Sequence, residues 1–278
     1  MDETVKTFEY NGIKINYREI GEGRPVIFLH GFGASSRSWD DVAKRLTSKN
    51  KLFLIDLKGF GLSEKPLDDK YSAADQAEII FDFILKNKLE NLVLAVHSIG
   101  GTVALLTFLK FAEEKNNPIK RLILIGTSAY RQRIPDFIKF LRIPFLNKIV
   151  FAFPSTHSAT KMALKKSFFD DKKITDEIVN HYGNFLDDVG SFHSFTETAK
   201  KIVPENADEI SARYCEIDVP VLLIWGEKDE VISLSIGQRL QKDIPNTKLA
   251  VIPDCGHVPH EEKPNETAKL ISNFLDKL

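Results

Sequence analysis

The chain has little of what marks several large protein classes. Its 278 residues include only two cysteines, Cys215 and Cys255, too few for a disulfide framework. Two thiols fit a reducing compartment, so the cytoplasm is the expected address. Charge of either sign is not in surplus: 38 Lys and Arg stand against 39 Asp and Glu, a net charge of −1. A nucleic-acid or anionic-membrane partner would call for a basic excess, and neither is expected. No apolar run reaches the ~18 residues of a membrane span. The opening MDETVKTFEYNG has acids where a secretory signal would carry a basic and then an apolar region. Repeats and low-complexity linkers are absent too. The hydrophobic share, 43 %, is that of a folded globular protein. The length fits one large domain, or a core with an inserted lid.

Along the chain, short apolar runs alternate with amphipathic stretches, the pattern of a mostly parallel sheet with helices on both faces. Val5–Tyr10 and Ile13–Ile20, joined across Asn11-Gly12, predict an N-terminal hairpin. Pro25–Leu29, Leu52–Ile55, Leu92–Val96, Leu122–Ile125 and Val221–Trp225 read as strands buried on both faces, and Lys248–Ile252 closes an eight-stranded series. Asp75–Leu85 predicts a helix with Ala77, Ile80, Phe81, Ile84 and Leu85 on one face. The rhythm stops between about Ser128 and Ile210. That stretch has helical patterns, no clear strand, and many of the chain's 20 Phe, from Phe137 to Phe195. Those rings either fill a helical layer's own core or line an apolar pocket over the strand ends.

The most informative run is Leu92–Gly101, LVLAVHSIGG, an apolar strand that stops at Ser98 and turns into a Gly-Gly helix start. A serine at such a turn stands clear of the sheet beside free backbone N–H groups, as an acyl-transfer nucleophile must. The tripeptide Ser-Ile-Gly recurs at Ser235–Gly237, but inside a helical pattern with no strand feeding it, so context selects Ser98. A base is available in His257, in the loop after the last strand. An orienting acid is available in Asp229, just after the penultimate strand, with Glu227 as its competitor. All three lie at carboxyl ends of predicted parallel strands, where residues distant in sequence converge. The Gly-rich loop His30–Gly33 follows Pro25–Leu29, so the N–H groups of Phe32 and Ile99 are the expected oxyanion donors. His257 and His260 have the spacing of a metal pair but lack a third ligand, and no metal or cofactor is expected.

The stretches HGFGASSRSW (His30–Trp39), DLKGFGLSEKP (Asp56–Pro66), VHSIGG (Val96–Gly101), WGEKDEV (Trp225–Val231) and GHVPHEEKP (Gly256–Pro264) together resemble the α/β-hydrolase superfamily over essentially the whole chain. They look most like its capped, cofactor-free members: small-molecule esterases, monoacylglycerol-type lipases and carbon–carbon bond hydrolases of ring-cleavage products. The order Ser98, Asp229, His257 is that family's, and Asp229 rather than Glu227 matches its acid position. The resemblance implies an α/β-hydrolase core over 1–128 and 211–278 and a helical cap over 129–210. It also marks Asp56, Gly59, Gly61 and Ser63 as structural loop residues. A serine at the turn speaks against haloalkane dehalogenases and epoxide hydrolases, which carry Asp there. One position departs: Val96 stands two residues before Ser98, where the family usually has Gly, and must find room among small neighbours such as Ala95, Gly100, Gly101 and Ala104. The expected activity is serine-dependent cleavage of carboxylic esters of apolar small molecules. Carbon–carbon bond hydrolysis of a diketone-type product stays open beside it, and so does ligand binding without catalysis.

Overall fold

A computed structural model describes residues 3–143, 156–183 and 189–276. Eight strands form one sheet in the order β1-β2-β4-β3-β5-β6-β7-β8. They are β1 (Glu3–Tyr10), β2 (Ile13–Ile20), β3 (Arg24–Leu29), β4 (Asn50–Ile55), β5 (Leu92–His97), β6 (Ile119–Ile125), β7 (Val221–Gly226) and β8 (Thr247–Ile252). β2 is antiparallel to both its neighbours, and β4, β3, β5, β6, β7 and β8 run parallel. The hairpin β1–β2 turns on Asn11 and Gly12, both at positive φ (49° and 79°), as a tight two-residue turn requires.

Strand alternation divides the core in two. Ile27, Leu29, Leu94, Val96, Leu122 and Leu223 face the helices Ala73–Lys86 and Ile99–Glu113. Val26, Phe28, Val93, Ala95 and Ile123 face Trp39 and the helix Pro264–Leu275. Ala95 therefore packs on the opposite face from Val96 and gives it no room. Val96 is fully buried in one cluster with Val103 and Ala104. Replacing it by Gly removes buried methyls and loosens a strand, and should cost about 2–4 kcal/mol of unfolding free energy. Ester turnover should change little. A tenfold rise in kcat/KM of Val96→Gly would instead mark Val96 as damage to the turn.

The predicted helix at Asp75 starts two residues earlier, because Ser72 and Asp75 form a reciprocal capping box. Its buried stripe runs through Ala77, Ile80, Phe83 and Ile84, while Leu85 is exposed. Phe81 leaves the stripe to pack on Phe111, with ring centroids 4.2 Å apart.

Chain order reverses at β3: β4 lies on one side of it and β5 on the other. Loops leaving β3 and β5 thus diverge at the carboxyl edge and leave a crevice between them, the usual ligand position in such sheets. Between β6 and β7 the described residues hold helices and no strand, the longer ones being Thr156–Ser167, Asp176–Gly183 and Val189–Lys200. This insertion is seated on the core: Ser194 Oγ donates to the Gly59 carbonyl at 2.7 Å, and Phe195 packs against Phe32 and Phe60. No helix among the described residues is long and apolar enough to cross a membrane.

Candidate active site

Ser98 is the first residue after β5 and the N-cap of the helix Ile99–Glu113, with φ 53° and ψ −119°. A non-glycine residue in that region carries strain of about 1–3 kcal/mol and persists only where its neighbours hold it. Here its N–H donates to the Ile125 carbonyl at 3.0 Å. Its own carbonyl accepts from Gly101 N (2.9 Å), Ser128 N (3.1 Å) and Ser128 Oγ (3.2 Å). The turn points the hydroxyl at a histidine: Ser98 Oγ lies 3.1 Å from His257 Nε2, and His257 Nδ1 lies 2.8 Å from Asp229 Oδ2. The structure brings together all three residues singled out in the sequence, each at least nine-tenths buried.

Asp229 Oδ1 accepts from the backbone N–H groups of Val231 (2.9 Å) and Ile232 (2.8 Å), which fixes the carboxylate in place. Its second oxygen then faces the ring and holds the proton on Nδ1, leaving Nε2 free to accept from Ser98. Glu227 is exposed and pairs with Lys228, away from the histidine. Ser235 lies exposed on the helix Leu234–Asp243, bonded to Ser233.

Gly31 presses against the nucleophile: a Cβ there would stand 3.0 Å from Ser98 Cβ and nearer still to the His97 ring. That closeness sets the backbone of Gly31 and Phe32 beside the turn. Ile99 opens its helix, so its N–H has no carbonyl partner within the helix. His30 holds the same loop through both ring nitrogens: Nδ1 donates to the Gly31 carbonyl and Nε2 accepts from Leu57 N.

Three rings stack behind His257. His97 lies 4.6 Å from it, His260 4.5 Å from His97, and Trp39 4.3 Å from His260, between centroids. His97 Nε2–H donates to the His257 carbonyl at 2.9 Å. Burial holds both supporting rings neutral, with His97 well below the ordinary range and His260 pushed down to about 3. The unfolded chain takes up those protons near pH ~6.5 and the folded one does not, so stability falls as pH drops below that point. Each ring contributes up to about 1.4 kcal/mol per pH unit between its two pKa values. Glu261, raised to about 8 by burial, acts in the opposite sense. Denaturant unfolding of His260→Phe should therefore show a slope between pH 6.5 and 5 lower by about one proton; an unchanged slope would mean that His260 is protonated when folded. Among the described residues no group of three or more His, Cys, Asp or Glu could hold a metal ion.

Above Ser98 opens a cavity of about 940 Å³, its mouth included. Its walls are mostly aliphatic, with Ile134, Ile138, Leu164, Ile202, Val203 and Ile210 from the insertion. Of the insertion's phenylalanines whose side chains are described, none lines it. Phe195 seals the insertion onto the core, Phe168 sits in a small separate cluster, and Phe140 and Phe169 are exposed. Phe145, Phe151, Phe153 and Phe185, and the side chain of Phe137, lie outside what the structure describes. Ser128, which clamps the Ser98 carbonyl, was legible only as a small polar residue just after a buried strand.

The family model for the alpha/beta hydrolase fold matches residues 24–264. The chain is 26 % identical over 277 residues to a 2-hydroxy-6-oxo-6-phenylhexa-2,4-dienoate hydrolase of Burkholderia cepacia, covering 98 % of this chain and 94 % of that protein. It is 25 % identical over 276 residues to Lipase 3 of Moraxella sp. (strain TA144), covering 96 % and 83 %. Among solved structures, an alpha/beta hydrolase fold protein from Burkholderia ambifaria matches with a TM-score of 0.86 at 24 % identity, over 96 % of this chain and 97 % of that one. That last likeness is one of fold.

Proposed function

Because the chain belongs to the alpha/beta hydrolase fold family, we propose that it is a serine hydrolase of apolar carboxylic esters, with residues 129–210 as a cap over its site. The hydrogen-bonded chain Ser98–His257–Asp229 at the foot of an aliphatic cavity carries this reading. Ser98 Oγ attacks the ester carbonyl carbon while its proton passes to His257 Nε2. Phe32 and Ile99 N–H stabilise the oxyanion, each such donor being worth about 2.7–4 kcal/mol in the transition state. His257 then gives the proton to the departing alcohol oxygen. A water, deprotonated by the same nitrogen, attacks the acyl-enzyme and releases the acid. Asp229 holds the ring and offsets its charge while it is protonated.

The dienoate named for one relative is an anion, and its carboxylate would need a cation in the pocket. Among the described lining residues only Arg133 is Lys or Arg; its side chain is 82 % exposed and paired with Asp136. That favours neutral esters over a carbon–carbon bond substrate. A panel of p-nitrophenyl esters, run beside a ring-cleavage dienoate, tests it. The kcat/KM should rise from acetyl to longer acyl chains by up to about 0.8 kcal/mol per CH₂ that finds a wall, then fall at a length limit. A flat ester series with faster turnover of the dienoate would overturn the ester reading.

A further inference from the structure

Glu262 ends the short helix Pro259–Glu262 and is fully buried, yet no step of the chemistry above uses it. Its carboxylate collects backbone donors from two separate parts of the fold. Oε2 accepts from Gly256 N at 2.7 Å, in the residue just before His257. Oε1 accepts from Asp170 N at 2.9 Å, and Phe169 N lies 3.2 Å from both oxygens, all from the insertion. Lys173, also in the insertion, donates to the Glu262 carbonyl. An ionised carboxylate is acceptor-only, so it can serve three N–H groups at once; no neutral side chain of its size offers two such oxygens.

The residues around the histidine repeat the connection. His257 N–H donates to the Ser167 carbonyl at 2.6 Å. Val258 packs with Leu164, Phe168, Ile174 and Val179 in a cluster drawn otherwise from the insertion. A Cβ on Gly256 would run into the Ser167 carbonyl and the Phe169 amide, so the two backbones touch there. From the core side, the ring bonds to Asp229 and Ser98 and the carbonyl bond to His97 hold His257.

We infer that Glu262 is a positioning residue, tying the His257 loop to Ser167–Asp170 so that seating the insertion over the cavity and placing the imidazole beside Ser98 are one event. This rests on the serine-hydrolase reading for its catalytic consequence. Its physical content, the tie itself, does not. Near-isosteric Glu262→Gln turns one acceptor oxygen into an NH₂ donor, which must face a backbone N–H whichever way the amide lies. In the folded variant, kcat for a p-nitrophenyl ester should fall between about 10-fold and 10²-fold, the range expected for a displaced catalytic group. The His257 ring resonance should titrate at a different midpoint, and the amides of Gly256, Phe169 and Asp170 should lose exchange protection together. A purely structural Glu262 would lower the melting temperature and leave kcat per folded molecule and the His257 titration unchanged, which would overturn the inference. If Glu262→Gln does not fold, Lys173→Met should give a smaller change in the same direction, and an unaltered kcat and titration there would also overturn it. Should the wild-type chain prove inactive on esters, the functional reading fails by itself, and the titration and amide exchange still decide the tie.

Discussion

Replacing Ser98 by Ala should remove ester turnover almost entirely, with a loss on the order of 10⁶ in kcat. A residual rate of ~10³–10⁴ over water should persist from binding and the oxyanion donors. Fold and stability should hold. The hydroxyl's hydrogen bond is to His257, whereas the strained backbone of the turn is held by Ile125, Gly101 and Ser128, which the substitution leaves in place. The sister tripeptide gives the internal comparison, since Ser235→Ala should turn over esters like the wild-type chain. Steady-state rates on one ester, with circular dichroism for the fold, decide it. An active Ser98→Ala variant would remove the nucleophile from this account.

Asp229→Asn should cost on the order of 10⁴ in kcat with the fold intact, and the network around the carboxylate says why. Oδ1 accepts two backbone N–H groups, so the amide oxygen of Asn must take that place. Its NH₂ is then left facing His257 Nδ1. The ring has to accept there and carry its proton on Nε2, where it can no longer take the proton of Ser98. Glu227→Gln, at an exposed residue paired with Lys228, should leave kcat unchanged. A near-wild-type Asp229→Asn would move the orienting role elsewhere.

The parts of this fold legible in the sequence depend on local pattern. Strands buried on both faces are continuous apolar runs, which is why Pro25–Leu29 and Val221–Trp225 could be placed closely. Ser98, Asp229 and His257 were legible because each follows such a run, and parallel strands bring their carboxyl ends to one edge. Capping hid the true start of the helix at Ala73, since the signal is the Ser72–Asp75 pair and not the apolar stripe. Tertiary packing hid more. The Phe-rich composition of the insertion left open whether its rings fill a core or line an apolar pocket; among the described side chains the pocket walls are mostly aliphatic and Phe195 works as a seal. Sheet alternation, applied strictly, would already have placed Ala95 away from Val96. The roles of Glu262 and Ser128 were hidden because Glu262's partners in the insertion lie 89 or more residues away and Ser128's partners Thr102 and Ser98 lie 26 and 30 residues away.

The central claim is that Ser98 is a nucleophile activated by His257 beneath an apolar cavity, and active-site labelling tests it most directly. A fluorophosphonate probe bearing an alkyl chain mimics the acyl group and phosphonylates an activated serine irreversibly, with fluoride as the leaving group. Intact mass should show one adduct per chain, and peptide mapping should place it on Ser98. Labelling should vanish in Ser98→Ala and slow by orders of magnitude in Asp229→Asn. A folded wild-type chain that takes up no probe, or takes it up at Ser235, would contradict the account.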